Sequence, residues 1–477
     1  MSILKDSRRN FIKIFGGLGA GILTGFNLKG SNVLSDSAEN NPSTPSRRLG
    51  ANYMGDFSAP KLEKVRCAFI GVGSRGYGHA EQIAEIEGTE VVAISDLYQD
   101  LANKAADICK EKGKGKRHQN IALYHGTDDG WKKMLNDHRP DAVFVVTPWE
   151  VHAPMAVEAM KQGAHAFVEV PLALTLEEMW EIVDVSESTG RHCMMMENVN
   201  YGREEMIYLN MCRQGVLGEL LHGEASYIHE LRSQMEDVER GTGSWRTYHY
   251  AKRNGNLYPT HGLGPVAQYM NLARGEDNFA RMVSFSSPAK GRKLYAAKHF
   301  DQGHQWNQLD YQGGDINTSI IKTNLGRTLL VQWDETSPRP YTRHNLIQGT
   351  KGTLTGFPNR IALEGGVEGA TDSHHEWAQG DQLEAIFQKY EHPLYLRLGD
   401  LAKKMGGHGG MDFIMRYRII ECLRQGTPLD QNVYEGCYWS AVAPLSEASV
   451  LQDGAPQKFP DFTRGGWKDT KPLDVVL

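Results

Sequence analysis

Closely spaced cysteines are missing from this chain. Its six stand at 67, 109, 193, 212, 422 and 437, with no CxxC pair; that excludes a zinc-ribbon type of site and gives no disulfide framework, so they read as small core residues. Excess positive charge is missing too. With 52 Lys and Arg against 58 Asp and Glu, the net charge is −6, and nothing electrostatic favours nucleic acid. The one dense basic run, KEKGKGKRH at 110–118, is broken by glycines and reads as a solvated loop. His374 and His375 beside Glu376 look like metal ligands at first, but adjacent strand side chains point to opposite faces, and a polar loop explains them without metal. No internal repeat or low-complexity tract is present. What remains is an ordinary composition, 40% apolar and 23% charged over 477 residues, long enough for two domains with substantial cores.

A long apolar run is also lacking. IFGGLGAGILTGF at 14–26 is too short to span a bilayer and too glycine-rich for a good helix core. It follows DSRRNFIK at 6–13, and the pair looks like a twin-arginine export signal over residues 1–32, with a polar linker over 33–60. No cysteine follows closely enough to suggest a lipid anchor. The expectation is export of an already folded protein to the periplasm, with no stable membrane insertion of the mature chain.

From Val65 onward short apolar β-rich runs alternate with helical segments: VRCAFIGVG, EVVAISD, DAVFVVTP, HAFVEVP and HCMMMEN. Strands this apolar predict a parallel sheet covered on both faces, a doubly wound Rossmann domain over 61–197. Past Asn198 the pattern changes to longer, one-sided strands such as GELLHGEASYIHE and NTSIIKTNLGRTLLVQWDE. These predict an α+β domain over 198–477 with a large, mainly antiparallel sheet. Residues 361–408 read as loops around short helices, followed by a helix near 411–425.

GVGSRGYG follows the first strand and opens a helix. Gly71, Gly73 and Gly76 permit a tight turn and close approach of a pyrophosphate to a helix N-terminus, with Ser74 and Arg75 in the loop. Asp96 ends the second strand, where an acidic residue accepts from an adenosine ribose, which favours NAD. TPWEVH and EVP lie at the carboxyl ends of later strands, along the ligand crevice of such a sheet. In LYPTHGLGPVAQYM at 257–270, Pro259 precedes a helix for which Thr260 is the expected N-cap. That reading leaves Tyr258 and His261 unexplained.

From about Lys61 to its end the chain resembles the oxidoreductase family that includes glucose-fructose oxidoreductase and inositol dehydrogenase, on GVGSRG, the strand-end Asp, TPxxxH and ExP. Dehydrogenases of that family carry a Lys in an EKP segment and an Asp four residues before a His. Here those positions are Val170 and Leu257, and only His261 remains. An apolar side chain cannot take a proton from an alcohol. YPTH, with TPWEVH, VEVP, MENVNYGR, Tyr227 and SWRTY, is instead similar to the NAD-dependent α-N-acetylgalactosaminidases, glycoside hydrolase family 109.

That resemblance implies NAD contacts from Gly71, Gly73, Ser74, Arg75, Gly76, Asp96, Trp149, Glu150, Val151, His152, Glu169, Val170 and Asn198. It implies substrate contacts from Tyr227, Arg246, Tyr258, Pro259, Thr260, His261 and Tyr341, with Tyr258 and His261 catalytic and Tyr258 the first choice as proton acceptor. Arg246 would hold an acetamido carbonyl or a hydroxyl, or else form a structural ion pair. Tyr341, in PRPYTRHN, would line the site or be a plain edge-strand aromatic. In GGHGGMDF, Asp412 suits a helix dipole, and a place for His408 and Asp412 in the pocket stays open. The implied reaction is hydrolysis of a glycan with terminal N-acetylgalactosamine by C3 oxidation, elimination, water addition and reduction. An exported sugar oxidoreductase with tightly held NAD, and a sugar-binding protein retaining NAD structurally, are the alternatives. Exposed strands of the second domain are compatible with a sheet-mediated homodimer.

Overall fold

The computed structural model describes residues 44–113, 118–367 and 375–474. The expected export signal, the linker up to residue 43, residues 114–117 of the basic run and His374 lie outside the described residues.

The first half alternates strand and helix: β1 (Val65–Ile70), α1 (Ser74–Glu85), β2 (Thr89–Ser95), α2 (Gln99–Lys112), β3 (Ala122–Tyr124), α3 (Gly130–His138), β4 (Ala142–Val145), α4 (His152–Lys161), β5 (His165–Val168), α5 (Leu176–Thr189) and β6 (Cys193–Met195). All six strands are parallel, in the order β3-β2-β1-β4-β5-β6. AVFV of β4 and HAFV of β5 are buried throughout, as strands covered on both faces must be. Chain order reverses between β1 and β4, and a crevice opens there at the strands' carboxyl ends. Helix α5 starts at a Thr175 capping box closed by Glu178.

The second half contains α6 (Arg203–Arg213), β7 (Leu220–Ile228), α7 (Thr242–Lys252), α8 (Thr260–Tyr269), β8 (Phe279–Ser286), α9 (Gly291–His299), β9 (Ile316–Thr323), β10 (Thr328–Asp334), β11 (Leu346–Gly349), β12 (Gly352–Thr355), β13 (Arg360–Leu363), β14 (Ala378–Gln379), α10 (Asp381–Lys389), α11 (Pro393–Met405), α12 (Met411–Gln425), α13 (Val433–Leu451) and β15 (Gln457–Lys458). Its sheet runs β14-β13-β12-β11-β7-β10-β9-β8-β15. Every pairing is antiparallel except β7 with β10, which is parallel. No helix among the described residues is long and apolar enough to cross a membrane.

Two local findings bear on the site. Thr260 is not the N-cap: Pro259 occupies that position, Thr260 is the first helical residue, and its Oγ1 is buried without a partner. Proline's fixed φ already suits the turn into the helix, so the hydroxyl is not needed there. Helix α8 then carries Gly262 and Gly264. A Cβ at 262 would collide with the backbone of Ser226 on β7, and one at 264 would lie 2.9 Å from Asn200 Oδ1 and 3.0 Å from Glu197 Cγ. The two glycines therefore let α8 press against β7 on one side and the end of the Rossmann sheet on the other.

From residue 44 the expected linker packs onto the body. Arg47 Nε donates to Glu187 at 3.0 Å, Tyr53 stacks on Tyr434 with centroids 5.2 Å apart, and Met54 is buried in the core.

Candidate active site

The glycine loop meets its structural demands first. Gly71 has φ +82, and a Cβ there would strike Val146 O, while one at Gly76 would strike Gly71 O; only glycine fits both places. Gly73 is different, because a Cβ there would meet nothing within 4 Å. It stands at the head of α1, which has no side-chain cap, so the helix's first N–H groups face open space suited to a phosphate. Asp96 follows β2 and braces the loop, accepting from Val72 N at 2.7 Å and Tyr98 N at 2.9 Å. These residues fit a dinucleotide.

Beside the loop lies a chain of ions. Arg75 donates Nε to Glu169 at 2.8 Å and Nη1 and Nη2 to Asp412 at 2.6 and 3.0 Å. Asn198 Nδ2 donates to Asp412 at 2.7 Å, and His408 Nδ1 lies 2.9 Å from the same carboxylate. Asp412 thus belongs to the crevice and does more than favour a helix dipole. His79 completes the chain: Arg416 Nε donates to its Nδ1 at 2.9 Å, so the ring proton sits on Nε2 and is given to Glu169 at 2.7 Å. Burial, helped by Arg416, pushes His79 down to about 4, so it stays neutral at neutral pH. Burial alone would raise Glu169 and Asp412. For Glu169 the Arg75 charge and the His79 hydrogen bond outweigh it, and for Asp412 the His408 hydrogen bond and Arg75 do, so both carboxylates are held well below their usual range.

The TPWEVH segment turns toward the second sheet. Trp149 is buried against Tyr258, Trp245 and Tyr250, and Glu150 lies 2.8 Å from His249. Val151 is half-buried. His152 holds its ring between the carbonyls of Pro171 and Thr147, at 2.7 and 2.8 Å, so both its nitrogens are engaged by backbone. Val170 is buried.

Across the crevice α8 and β7 bring aromatic rings together. Tyr258 lies 4.9 Å from Tyr227, 5.0 Å from His261 and 5.9 Å from Trp149, centroid to centroid. Burial pushes its phenol well above the usual value, so it holds its proton at neutral pH. Tyr227 donates to His229 Nδ1 or accepts from it at 3.0 Å. Tyr341 is 38% exposed and lies 6.1 Å from Tyr227, beside the pocket mouth. The guanidinium of Arg246 sits 4.8 Å from the Trp149 ring and 5.2 Å from the Tyr258 ring. Its Nε is buried with no partner, and among the described residues no carboxylate hydrogen-bonds it, which speaks against the ion-pair alternative.

His261 donates Nδ1 to Glu197 Oε1 at 2.6 Å. Sequence reasoning missed Glu197. It stands in the MENVNYGR match, but HCMMMEN reads as a buried strand and the resemblance assigned Glu197 no role. Trp245 lies inside SWRTY yet was assigned no role, and His229 was missed for want of a motif. Among the described residues no group of three or more His, Cys, Asp or Glu could hold a metal.

Comparison with known proteins agrees with this division. Residues 65–197 match the oxidoreductase family, NAD-binding Rossmann fold, and residues 201–469 match the glycosyl hydrolase 109 C-terminal domain. Glycosyl hydrolase family 109 protein 1 of Akkermansia muciniphila is 63% identical over 91% of this chain and 89% of its own length. A glycosyl hydrolase family 109 protein of Shewanella baltica is 53% identical over 98% of both chains. Among solved structures, a levoglucosan dehydrogenase in complex with NADH and levoglucosan superposes with a TM-score of 0.61 at 16% identity, over 83% of this chain and 100% of that one. A myo-inositol 2-dehydrogenase from Lactobacillus plantarum gives 0.57 at 16% identity, over 83% and 99%. At such identities these last two show a shared fold alone.

Proposed function

The chain belongs to glycosyl hydrolase family 109, and from that premise we propose that it releases terminal α-linked N-acetylgalactosamine from glycans by an NAD-dependent cycle. One observation carries the reading. The two positions where dehydrogenases of this fold keep a Lys and an Asp are filled by buried Val170 and Leu257, while Tyr258 and His261 converge with Trp149 and Tyr227 beside the cofactor loop.

When bound, NAD supplies reversible oxidation of the sugar's C3 hydroxyl, which acidifies the hydrogen at C2. His261, with Nδ1 occupied by Glu197, offers Nε2 as the base for that hydrogen. Tyr258, whose buried phenol keeps its proton, serves as the acid at the departing glycosidic oxygen. This reading gives Tyr258 the acid's part, whereas the sequence reading made it the first choice as proton acceptor. Arg246, held against the Trp149 ring with its Nε unpaired, is the group that meets an acetamido carbonyl.

Twin arginines at Arg8 and Arg9 before a short apolar run support export by the twin-arginine route, to the periplasm. Export of the folded chain would carry its cofactor with it. Replacing both with Lys should leave the protein in the cytoplasm, and unchanged export would remove this part of the proposal.

The deciding assay is release of p-nitrophenol from p-nitrophenyl α-N-acetylgalactosaminide, with NADH absorbance followed in the same cuvette. Steady release without net NADH supports the cycle. No release, with NADH rising on free sugars, makes the protein a dehydrogenase with an unusual proton acceptor.

A further inference from the structure

Glu197 leaves β6 and caps the 3-10 turn Asn198–Tyr201, accepting from Val199 N at 3.2 Å. Its side chain is 0% exposed, and its second oxygen, Oε2, has no hydrogen-bond partner. A buried carboxylate is costly unless its charge is answered. Here the answer is one backbone N–H and His261 Nδ1 at 2.6 Å. Room for the carboxylate beneath α8 depends on Gly264, where any side chain would press on Glu197 Cγ and Asn200. The acid comes from the end of the Rossmann sheet and the imidazole from the helix of the second domain, so the contact fixes where one stands relative to the other.

We propose that Glu197 is the positioning residue of His261: it holds the tautomer with the proton on Nδ1, leaves the Nε2 lone pair to the substrate, and stabilises the imidazolium formed in turnover. The proton taken from the substrate stays on Nε2, Nδ1 keeps its own, and Glu197 remains a carboxylate throughout. This rests on the reading of His261 as a proton-transfer group. Capping the 3-10 turn does not require a charge, because a Gln oxygen accepts from Val199 N equally well.

Glu197→Gln separates the two roles. In the NAD-loaded protein assayed on p-nitrophenyl α-N-acetylgalactosaminide, kcat should fall about 100-fold or more, while KM and NAD content stay within about twofold. Loss of the carboxylate makes the imidazolium less stable, so the limb of the kcat–pH profile that disappears in His261→Gln should move to lower pH. Activity within about threefold of wild type with an unmoved limb would overturn the proposal. A second measurement does not depend on turnover: nitrogen-15 spectra of histidine-labelled wild type, with His261 assigned by difference against His261→Asn. A protonated Nδ1 and bare Nε2 support the proposal, and the opposite tautomer sinks it. Failure of wild type to release p-nitrophenol would count against the glycosidase reading, while the spectra still decide the role of Glu197.

Discussion

The two walls of the crevice are built on opposite plans. On the cofactor wall Arg75, Glu169, Asp412 and Arg416 are tied to one another, with neutral His79 between Glu169 and Arg416. On the sugar wall Tyr258 and Arg246 are packed by rings and left with free hydrogen-bonding capacity: no bond to the Tyr258 hydroxyl is formed among the described residues, and Arg246 Nε is unpaired. A saturated network resists movement, whereas uncommitted donors await a ligand. On the proposed cycle the first wall would hold a cofactor that stays and the second a sugar that comes and goes.

Variants can break that contrast. The largest effect should come from the sugar wall: Tyr258→Phe and His261→Ala should each lower glycoside cleavage about 10²- to 10⁴-fold with NAD content unchanged; the unfolding midpoint should hold in Tyr258→Phe and fall in His261→Ala, which removes the partner of buried Glu197. Equal activity in both variants and wild type would sink the site assignment. Next is Arg75→Met on the cofactor wall, which takes the bridging cation from two buried carboxylates and should cost about 3 kcal/mol in urea unfolding. Its counterpart Arg246→Met should cost less than about 1 kcal/mol, since no ion pair is lost, yet raise KM about tenfold. Equal losses of stability in the two arginine variants would erase the distinction.

Acid sharpens the comparison further. Burial holds His79, His192 and His392 near 4, against an ordinary 6.5. Between those values the unfolded chain binds protons that the folded chain refuses, so stability should fall as pH drops from about 6.5 toward 4, by on the order of 3 kcal/mol for a fully buried ring. Glu169 and Asp412, held below their usual range, keep their contribution until the pH falls below the ordinary carboxylate values of 4.5 and 3.8. Unfolding midpoints at pH 7, 6 and 5 should therefore decline in wild type and decline less in His79→Gln. The smallest effect belongs to the mouth: Tyr341→Leu should raise KM only a few-fold, as an exposed ring loses one contact face.

Much of the cofactor wall was legible in the chain because it is local. GVGSRG, Asp96 and EVP each sit within a few residues of a strand end, and apolar runs such as AVFV announce a doubly covered strand. The sugar wall depends on neighbours far apart in sequence, and there only the resemblance pointed to Tyr227, Arg246 and Tyr341. Glu197 is 64 residues from His261, and no spacing rule joins them. Helix α13 was missed for another reason: VYEGCYWSAVAPLSEASVL is buried on nearly all sides, so it has no polar face to give a helical period. Thr260 misled because cap preference describes an average helix, while Pro259 governs this one.

The packing of residues 47–54 sets a limit on amino-terminal trimming. Buried Glu187 receives Arg47, Tyr434 and Arg464, and Tyr53 and Met54 cover Tyr434 beside it. A peptidase that stopped before Arg47 would leave this corner intact, whereas one that cut beyond Met54 would strip an ion pair and a stacked ring from the back of α5 and α13. If the chain is trimmed on export as proposed, its own fold bounds the cut, and the mass of the mature protein would report whether that boundary is respected.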